Sequence, residues 1–345
     1  MLKIITQNHS NFFTKFEVHN AFLSIVNGIR RTIYSKVDSF AINDITFIEN
    51  TSVMHNEYIK HRISLIPILN QEKINIGNED IVFELDKKNE TSENLTVTTN
   101  DIKTKEKYKK HIPENIPIIL LKPNEKLHFI AKLEKGNGSN HAKFIPVSVA
   151  TFRNIPEIKI KKKSIEKEKA DVIINSCPKK IFEYKNNKII SKNEKDCIFC
   201  RECEKMSEII EIEDLIKIKK KEKNKKKIYV FEIESNGKLK TKTILIKTIE
   251  KMINIFEKSL DLFKTNQNNY VLLELGHTYS NILTEYLRED KKVLFSGYQI
   301  PHPLFNYSIL KIRCKEDNIQ LKIIKKTIKK IIRHLKKIKT DFENL

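Results

Sequence analysis

Apolar residues recur at helical spacing over residues 18–34, where Phe22, Ile25, Val26, Ile29 and Ile33 fall three and four apart. The stretch predicts an amphipathic helix with Arg30 and Arg31 on its polar face. Residues 40–48 alternate as a strand does, and residues 57–66 return to the helical period through Ile59, Ile63 and Ile66. From 80 to 135 short alternating runs are separated by Lys/Glu/Asn-rich loops, the pattern of an inserted β-rich region. After Thr243 the period sharpens: Ile246, Ile249, Ile253, Phe256, Leu260 and Phe263 recur at spacings 3, 4, 3, 4 and 3. Such a seam needs a partner. The C-terminus offers one, since Ile324, Ile328, Ile331, Leu335 and Ile338 recur at 4, 3, 4 and 3. Lysines fill the outer face of this second helix, while the first brings Glu250, Glu257 and Asp261. The two seams predict an intramolecular antiparallel or crossed pair, against the plainer reading that each packs on its own sheet. Between them lie a strand over 270–275, a helix over 278–287 and strands over 293–300 and 307–313, a compact α/β sandwich. Cys314, closing the last strand, reads as a small buried hydrophobe.

Length and composition then bound the classes. At about 150 residues per domain, 345 residues predict two or three domains, and a 39% hydrophobic share is enough for packed cores. Lys+Arg number 65 against 44 Asp+Glu, a formal charge of +21. With Lys, Ile and Asn abundant and only 7 glycines, part of that charge follows the bias of A/T-rich coding DNA. The runs at 161–163 and 219–227 bracket the cysteine segment and read as solvated boundaries, because neither has the interleaved aromatics of a single-strand stacking surface. The N-terminus has no apolar core of a signal peptide, and the longest apolar stretch, 116–121, falls far short of the roughly 18 residues of a membrane span. A cytoplasmic location is expected, or nuclear in a eukaryote, with no membrane partner.

Four of five cysteines fall between 177 and 203, which argues for a reducing compartment and a metal or cluster site. Cys197-x2-Cys200-x2-Cys203 is the tight loop that lets three thiolates take three corners of a cubane iron–sulfur cluster. A fourth ligand must be remote, since position 207 is Ser207; Cys177, followed by Pro178, has the Cys-Pro form of such a ligand. The expected cofactor is one iron–sulfur cluster, 4Fe–4S or 3Fe–4S, on Cys177, Cys197, Cys200 and Cys203, in a segment resembling a ferredoxin fold that keeps one of two clusters. Four-thiolate zinc is the second reading and an empty site the third.

No Walker loop, G-x-S-x-G or HExxH occurs, and the glycines are too sparse for a dinucleotide fingerprint. No catalytic residue is predicted.

The run Asn27-Gly28-Ile29-Arg30-Arg31-Thr32-Ile33, then Ala41-Ile42, Asn50-Thr51-Ser52 and the stretch from Glu57 to Ile68, closely resembles the α-type assembly subunits of cellular RNA polymerases: bacterial α, archaeal D and the eukaryotic third-largest subunit. The likeness continues through residues 141–153, through the cysteine segment, which looks most like archaeal D, and through residues 231–237. Residues 271–315 resemble the smaller partner, archaeal L or its eukaryotic counterpart, through Leu275-Gly276-His277-Thr278, Asn281-Ile282-Leu283 and the run from Phe295 to Leu304. The closing helix 321–338 fits its dimerisation helix.

The resemblance implies an α+β protein with D and L fused. Residues 1–48 and 228–265 would form an α-subunit-like dimerisation domain. Residues 49–158 would be an inserted β-rich domain, 159–227 an inserted ferredoxin-like domain, and 266–345 a second small α/β dimerisation domain. Ile246, Ile249, Ile253, Phe256, Leu260, Ile324, Ile328, Ile331 and Leu335 would line the dimerisation helices, with residues 265–269 a short joining loop. The implied function is a non-catalytic platform that nucleates the two largest polymerase subunits, binding chiefly the second largest. Arg30, Arg31, Glu57, His61, Arg62, His141, Lys143 and Phe144 are the expected partner contacts, with Glu57, His61 and Arg62 equally readable as an internal corner. Small subunits would dock at the L-like end, and DNA would be met only through the complex. Three departures stand out: Asn56 replaces the usual acid, Asp38 the usual proline, and the L-like part lacks its first strand. The rival reading is a ferredoxin-like electron-transfer or redox subunit, for which only the cysteine segment speaks.

Overall fold

The computed structural model describes residues 3–74, 80–161, 163–212, 214–223, 226–260, 264–266, 269–273, 275–305, 307–316 and 319–345. Its first half runs β1 (Lys3–His9), β2 (Phe13–His19), α1 (Leu23–Lys36), β3 (Ser39–Asn50), α2 (Asn56–Leu65), β4 (Val82–Lys88), β5 (Leu95–Thr98), α3 (Glu106–Lys109), β6 (Pro117–Leu121), β7 (Lys126–Gly136) and β8 (Val147–Asn154). Next come β9 (Pro156–Ile160), α4 (Lys167–Ser176), β10 (Phe182–Lys185), β11 (Lys188–Ser191), α5 (Glu202–Ile209), β12 (Ile216–Lys220), β13 (Glu222–Lys223) and β14 (Lys226–Ser235). The chain closes with α6 (Thr241–Ser259), β15 (Lys264–Asn266), β16 (Asn269–Leu273), α7 (His277–Leu287), β17 (Val293–Gln299), β18 (Tyr307–Cys314) and α8 (Gln320–Glu343). Two compact units emerge: Met1–Ile5, Glu17–Phe22 and Phe152–Phe231 form one, and Thr6–Phe16, Leu23–Thr151 and Glu232–Leu345 the other.

In the larger unit the antiparallel sheet β3–β7–β4 buries Ile42, Phe83, Leu85 and Phe129 in one apolar cluster with Ile59 and Ile63 of α2. β3 runs unbroken through residue 48 and pairs with β7 from Ser39 to Asn50, so the inserted sheet draws on residues assigned by sequence to the preceding domain. β5 and β6 form a separate hairpin.

The C-terminal part is a four-stranded sheet in the order β15–β16–β18–β17, with α7 and α8 packed on it. This corrects two expectations. Residues 265–269 are not a plain loop, because β15 pairs antiparallel with β16, Lys264 opposite Val271. β15 also occupies the edge at which a strand was expected to be missing. Residues 267–268 lie outside the described residues.

Helix α6 lies at the centre of the unit, with α1 and α8 both packed on it. Ile249, Ile253 and Phe256 are buried as expected, but Ile246 and Leu260 are half-exposed, and the buried row runs instead through Ile244, Leu245 and Met252. The reason is geometric: a helix covered from two sides carries a broader apolar face than a single seam. Asp261 and Phe263 lie outside the described residues. On α8 the expectation holds, with Ile324, Ile328, Ile331, Leu335 and Ile338 all at 0% exposure.

Polar contacts give the sense of the pair. Lys242 Nζ donates to the Glu343 and Leu345 carbonyls at 2.8 and 3.1 Å, Lys339 meets Glu250 at 2.8 Å and Lys336 meets Glu257 at 3.5 Å. As α6 advances α8 recedes, so the two are antiparallel. These ion pairs lie at the solvent margin and add little, whereas each buried isoleucine or leucine contributes about 1.5–3 kcal/mol. The apolar seam therefore decides the association.

α1 also packs against α7. Gly28 of α1 faces Ile282 of α7 so tightly that a Cβ there would stand 2.7 Å from Ile282 Cδ1. Beside it the Thr32 and Tyr279 hydroxyls are hydrogen-bonded at 3.0 Å, both buried, and the Ser24 backbone N–H donates to Glu285 Oε2 at 3.2 Å.

The smaller unit contains the antiparallel pair β9–β12, with Ile160 opposite Ile216, the hairpin β10–β11 and the packed helices α4 and α5. Ile158, Ile173, Ile189, Ile216 and Ile218 share one core with Cys177 and Cys203. Phe152 stacks on Phe231 with centroids 6.3 Å apart and meets Tyr229 edge-on at 5.9 Å.

The α1–α7 contact yields a test. Gly28→Val should destabilise the protein by about 1–3 kcal/mol through overpacking, and the same change should cost much less in an Ile282→Ala background, where the opposing methyl is gone. Thermal melts of the two single variants and the double variant read this directly. Additive losses would refute the packing assignment.

Candidate partner-docking surface and cysteine cavity

Arg30 and Arg31 stand on α1 where it borders an open groove also lined by Lys251, Lys258, His277 and Phe305. Arg30 is half-buried and directs Nε and Nη2 onto Asn27 Oδ1 at 3.1 and 3.0 Å, which fixes its fork. Arg31 is exposed. Arg30, Arg31, Lys36, Lys251 and Lys258 make the groove cationic beside one acid, Glu257, and Lys251 is partly neutralised by Asp38 at 2.8 Å. A rigid guanidinium and mobile ammonium groups around a groove suit carboxylates of an incoming chain.

A second surface follows from α2. Glu57 and His61 are exposed, and Glu57 sits in the first turn, where the helix dipole favours an acid. Arg62 is spent internally: Nε donates to the Ile118 carbonyl at 3.1 Å and Nη2 to the Pro117 carbonyl at 2.8 Å, tying α2 to β6. Of the two readings of Glu57, His61 and Arg62, the salt-bridged corner is not formed: Arg62 holds two backbone carbonyls of β6, not Glu57. Sequence reasoning missed the apolar residues here. Ile48, Val53, Met54, Tyr58 and Leu65 are each more than two-fifths exposed, and Tyr58 and Leu65, seven apart, share the outer face of α2. The signal was present as apolar residues off the core-facing stripe.

The third segment is the turn Ala142–Phe144. His141 is exposed and its Nδ1 accepts the Lys143 N–H at 3.1 Å, capping the turn. Lys143 is half-buried, donates Nζ to Asn43 Oδ1 and lies 5.2 Å over the Phe144 ring. Burial, aided by Lys60, holds its ammonium below the usual lysine range against the pull of Glu134. Phe144 departs from expectation. It is 4% exposed, and its ring blocks any side chain at Gly136, so it is a core residue that supports the turn. Lys238, not foreseen from sequence, is 3% exposed and donates Nζ to the Lys143 carbonyl. Burial and then the Lys143 charge push it down to about 8. Its position directly after the Ser235-Asn236-Gly237 turn was the available clue.

In the smaller unit all four clustered cysteines line a single cavity with Pro178, Lys179, Ile181, Phe182, Ile198 and Ile218. Cys177 caps the end of α4, Cys197 follows a short 3-10 turn and Cys203 lies in the first turn of α5. Cys200 is exposed between Phe199 and Arg201, both at left-handed φ of 60° and 61°, so the loop wraps the cavity by two tight reversals. Burial pushes the Cys203 thiol up to about 12, and the neighbouring thiols of Cys177, Cys197 and Cys200 add to the shift. Burial raises Cys197 as well, against a hydrogen bond from the Phe199 backbone. All are free thiols. Among the described residues no three His, Cys, Asp or Glu side chains gather closely enough to hold one metal ion, so the thiols surround the cavity without meeting at a point.

In the larger unit the helices pack on one another, α6 against α1 and α8 and α1 against α7. Residues 15–256 match the RNA polymerase Rpb3/Rpb11 dimerisation domain, and residues 269–341 give a second, separate match to a domain of the same description. The chain belongs to the RNA polymerase Rpb3/Rpb11 dimerisation family, as a non-catalytic assembly subunit of the Rpb3 type. It is 29% identical over 311 residues to a Tetrahymena thermophila protein described as conjugation stage-specific, a match covering 78% of this chain and 98% of that one. It is 29% identical over 277 residues to the Dictyostelium discoideum DNA-directed RNA polymerases I and III subunit rpac1, covering 71% and 78%. With the Methanosphaera stadtmanae DNA-directed RNA polymerase subunit Rpo3 it shares 26% over 234 residues, covering 64% and 84%. The comparisons lend nothing to the electron-transfer reading. No helix among the described residues is long and apolar enough to cross a membrane.

Buried Lys238 gives a pH-dependent test. Its folded pKa of about 8 lies below the ordinary 10.5, so between those values the unfolded chain holds more protons at this site and stability climbs with pH. Below about pH 8 the full cost of the buried charge, on the order of 3 kcal/mol at 1.36 kcal/mol per unit, is present. Lys238→Met should then stabilise the protein at pH 7 by about 2 kcal/mol, after subtracting about 1 kcal/mol for the lost hydrogen bond. The gain should vanish by about pH 10.5. Denaturant melts at pH 7 and pH 10 check it, and an effect independent of pH would count against the assignment.

Proposed function

We propose that the chain is the assembly platform of a multisubunit DNA-directed RNA polymerase and that it carries both halves of the platform heterodimer, a D-like and an L-like half, in one polypeptide. The observation that carries the reading is the pairing of two dimerisation matches, 15–256 and 269–341, with helix contacts between those stretches: α6 against α8 and α1 against α7. The boundaries proposed from sequence, 1–48 with 228–265, 49–158, 159–227 and 266–345, belong to this reading, with β3 crossing the first of them.

The platform would bind the two largest subunits, chiefly the second largest, through Arg31 and the cationic groove on one side and through Glu57, His61, His141 and the exposed apolar residues of α2 on another. Small subunits would dock at the L-like end. The site of action is wherever that polymerase works, the cytoplasm in an archaeal setting or the nucleus in a eukaryote.

We further propose that Cys177, Cys197, Cys200 and Cys203 hold one iron–sulfur cluster, of the 4Fe–4S or 3Fe–4S type, within a ferredoxin-like domain. The cavity they surround supports this, since in a cluster each thiolate takes its own iron, while zinc draws four thiolates onto one ion. When bound, the cluster would supply a cross-link joining the end of α4 to the 197–203 loop and the start of α5.

Capture of the tagged chain from its host, anaerobically and at moderately high salt, tests the platform reading. Both large polymerase subunits should co-purify in near-equal amounts with no separate L-type chain; an L-type chain in equal amount would refute the fused heterodimer, and loss of the large subunits the platform itself. On the same sample, iron and acid-labile sulfide should be found together, with visible absorption that Cys203→Ser abolishes. Zinc without sulfide would overturn the cluster.

A further inference from the structure

Helix α8 carries more positive charge than its packing uses. On the side facing α6, Lys336 and Lys339 meet Glu257 and Glu250 at 3.5 and 2.8 Å. On the side facing α7, Lys326 and Lys330 meet Asp290 and Glu289 at 3.6 and 2.9 Å. Between these rows Lys322, Lys325, Lys329, Arg333 and Lys337 recur at spacings 3, 4, 4 and 4, the outward stripe of a helix. The first four are exposed and Lys337 is half-exposed. Among the described residues no acid pairs with any of them. The stripe is about 22 Å long at 1.5 Å per residue. Like charges at this spacing repel and weaken the helix that holds them, so the stripe is unfavourable for the isolated fold.

From this we infer that the outward face of α8 binds the phosphate backbone of a nucleic-acid duplex, without reading sequence. The inference rests on charge placement alone and is independent of the assembly role. Charge complementarity sets the class of partner: a duplex presents about one negative charge per 1.7 Å of axis, and flexible ammonium groups suit such a row as point charges. A protein partner fits less well, since interface centres favour aromatic and arginine anchors and are poor in lysine. Leu321, 38% exposed at the start of α8, is the only large exposed apolar residue among the helix's described positions. A single strand fits less well too, as it needs stacking aromatics; Phe342 is buried against Phe16 and His334 bonds Tyr286. Direct contact of this kind departs from the expectation that DNA is met only through the complex.

The test uses the full chain and a 30-base-pair duplex of mixed sequence, with anisotropy titrations from about 50 to 250 mM salt. One triple variant, Lys325→Gln, Lys329→Gln and Arg333→Gln, is compared with Lys219→Gln, Lys220→Gln and Lys221→Gln, which removes the same charge from exposed positions at and just after β12. The α8 variant should lose at least tenfold in affinity at 100 mM salt, and its slope of log K against log salt should fall by about one per residue removed. The β12 variant should change little. The α8 variant should also melt no lower than the parent, which separates lost binding from lost folding. Equal losses in the two variants, an unchanged slope, no duplex binding at 50 mM salt, or tighter binding of a 20-residue polyglutamate peptide than of the duplex would each overturn the inference.

Discussion

The larger unit depends on covering α6 from both sides. A helix with Ile244, Leu245, Ile249, Met252, Ile253 and Phe256 all buried has too wide an apolar face for any one neighbour. α1 takes one flank and α8 the other, and once they are in place α7 is held against α1 where Gly28 admits Ile282. The groove hangs on this arrangement: Arg30 and Arg31 line it from α1, and His277 and Phe305 from the C-terminal part. The groove exists because both parts of the chain are docked. A surface made this way reports assembly of the dimerisation fold itself, which is the property a platform needs.

Much of this was legible in the residues. The α8 seam was read correctly because that helix meets its core along one stripe, where spacing translates directly into burial. The α6 seam was read only in part, since two-sided cover buries Ile244 and Met252, which a single stripe omits, and leaves Ile246 and Leu260 at the margin. Spacing is blind to the number of neighbours. The short strand β15 was missed for a different reason: three residues carry no alternation to read, and tertiary pairing with β16 decides their conformation. Phe144 looked like a contact residue and is a core one because Gly136, eight residues earlier, leaves a hollow for its ring. Nothing local announces that hollow.

The cysteine segment shows what spacing conveys and what it does not. Cys197, Cys200 and Cys203 had to be close, and the left-handed residues Phe199 and Arg201 are the backbone's means of turning so tightly around them. Cys177 was the uncertain partner, twenty positions earlier, and α4 delivers it to the same cavity. Burial pushes the Cys203 thiol up to about 12, so its thiolate is unfavourable in that apolar setting.

On the proposed reading two dimerisation halves share one chain, which would change what their interface must do. Between separate chains, association costs translational and rotational freedom, and affinity must exceed that cost. Within a single chain the second half would be held near the first whatever the interface strength. Such an interface would be free to weaken, yet Ile324, Ile328, Ile331, Leu335 and Ile338 of α8 are fully buried. A packed seam of this kind does what proximity alone does not: it fixes how α8 lies on α6, with α1 on the other flank of α6. A tether supplies proximity but no orientation, and large partners recognise orientation.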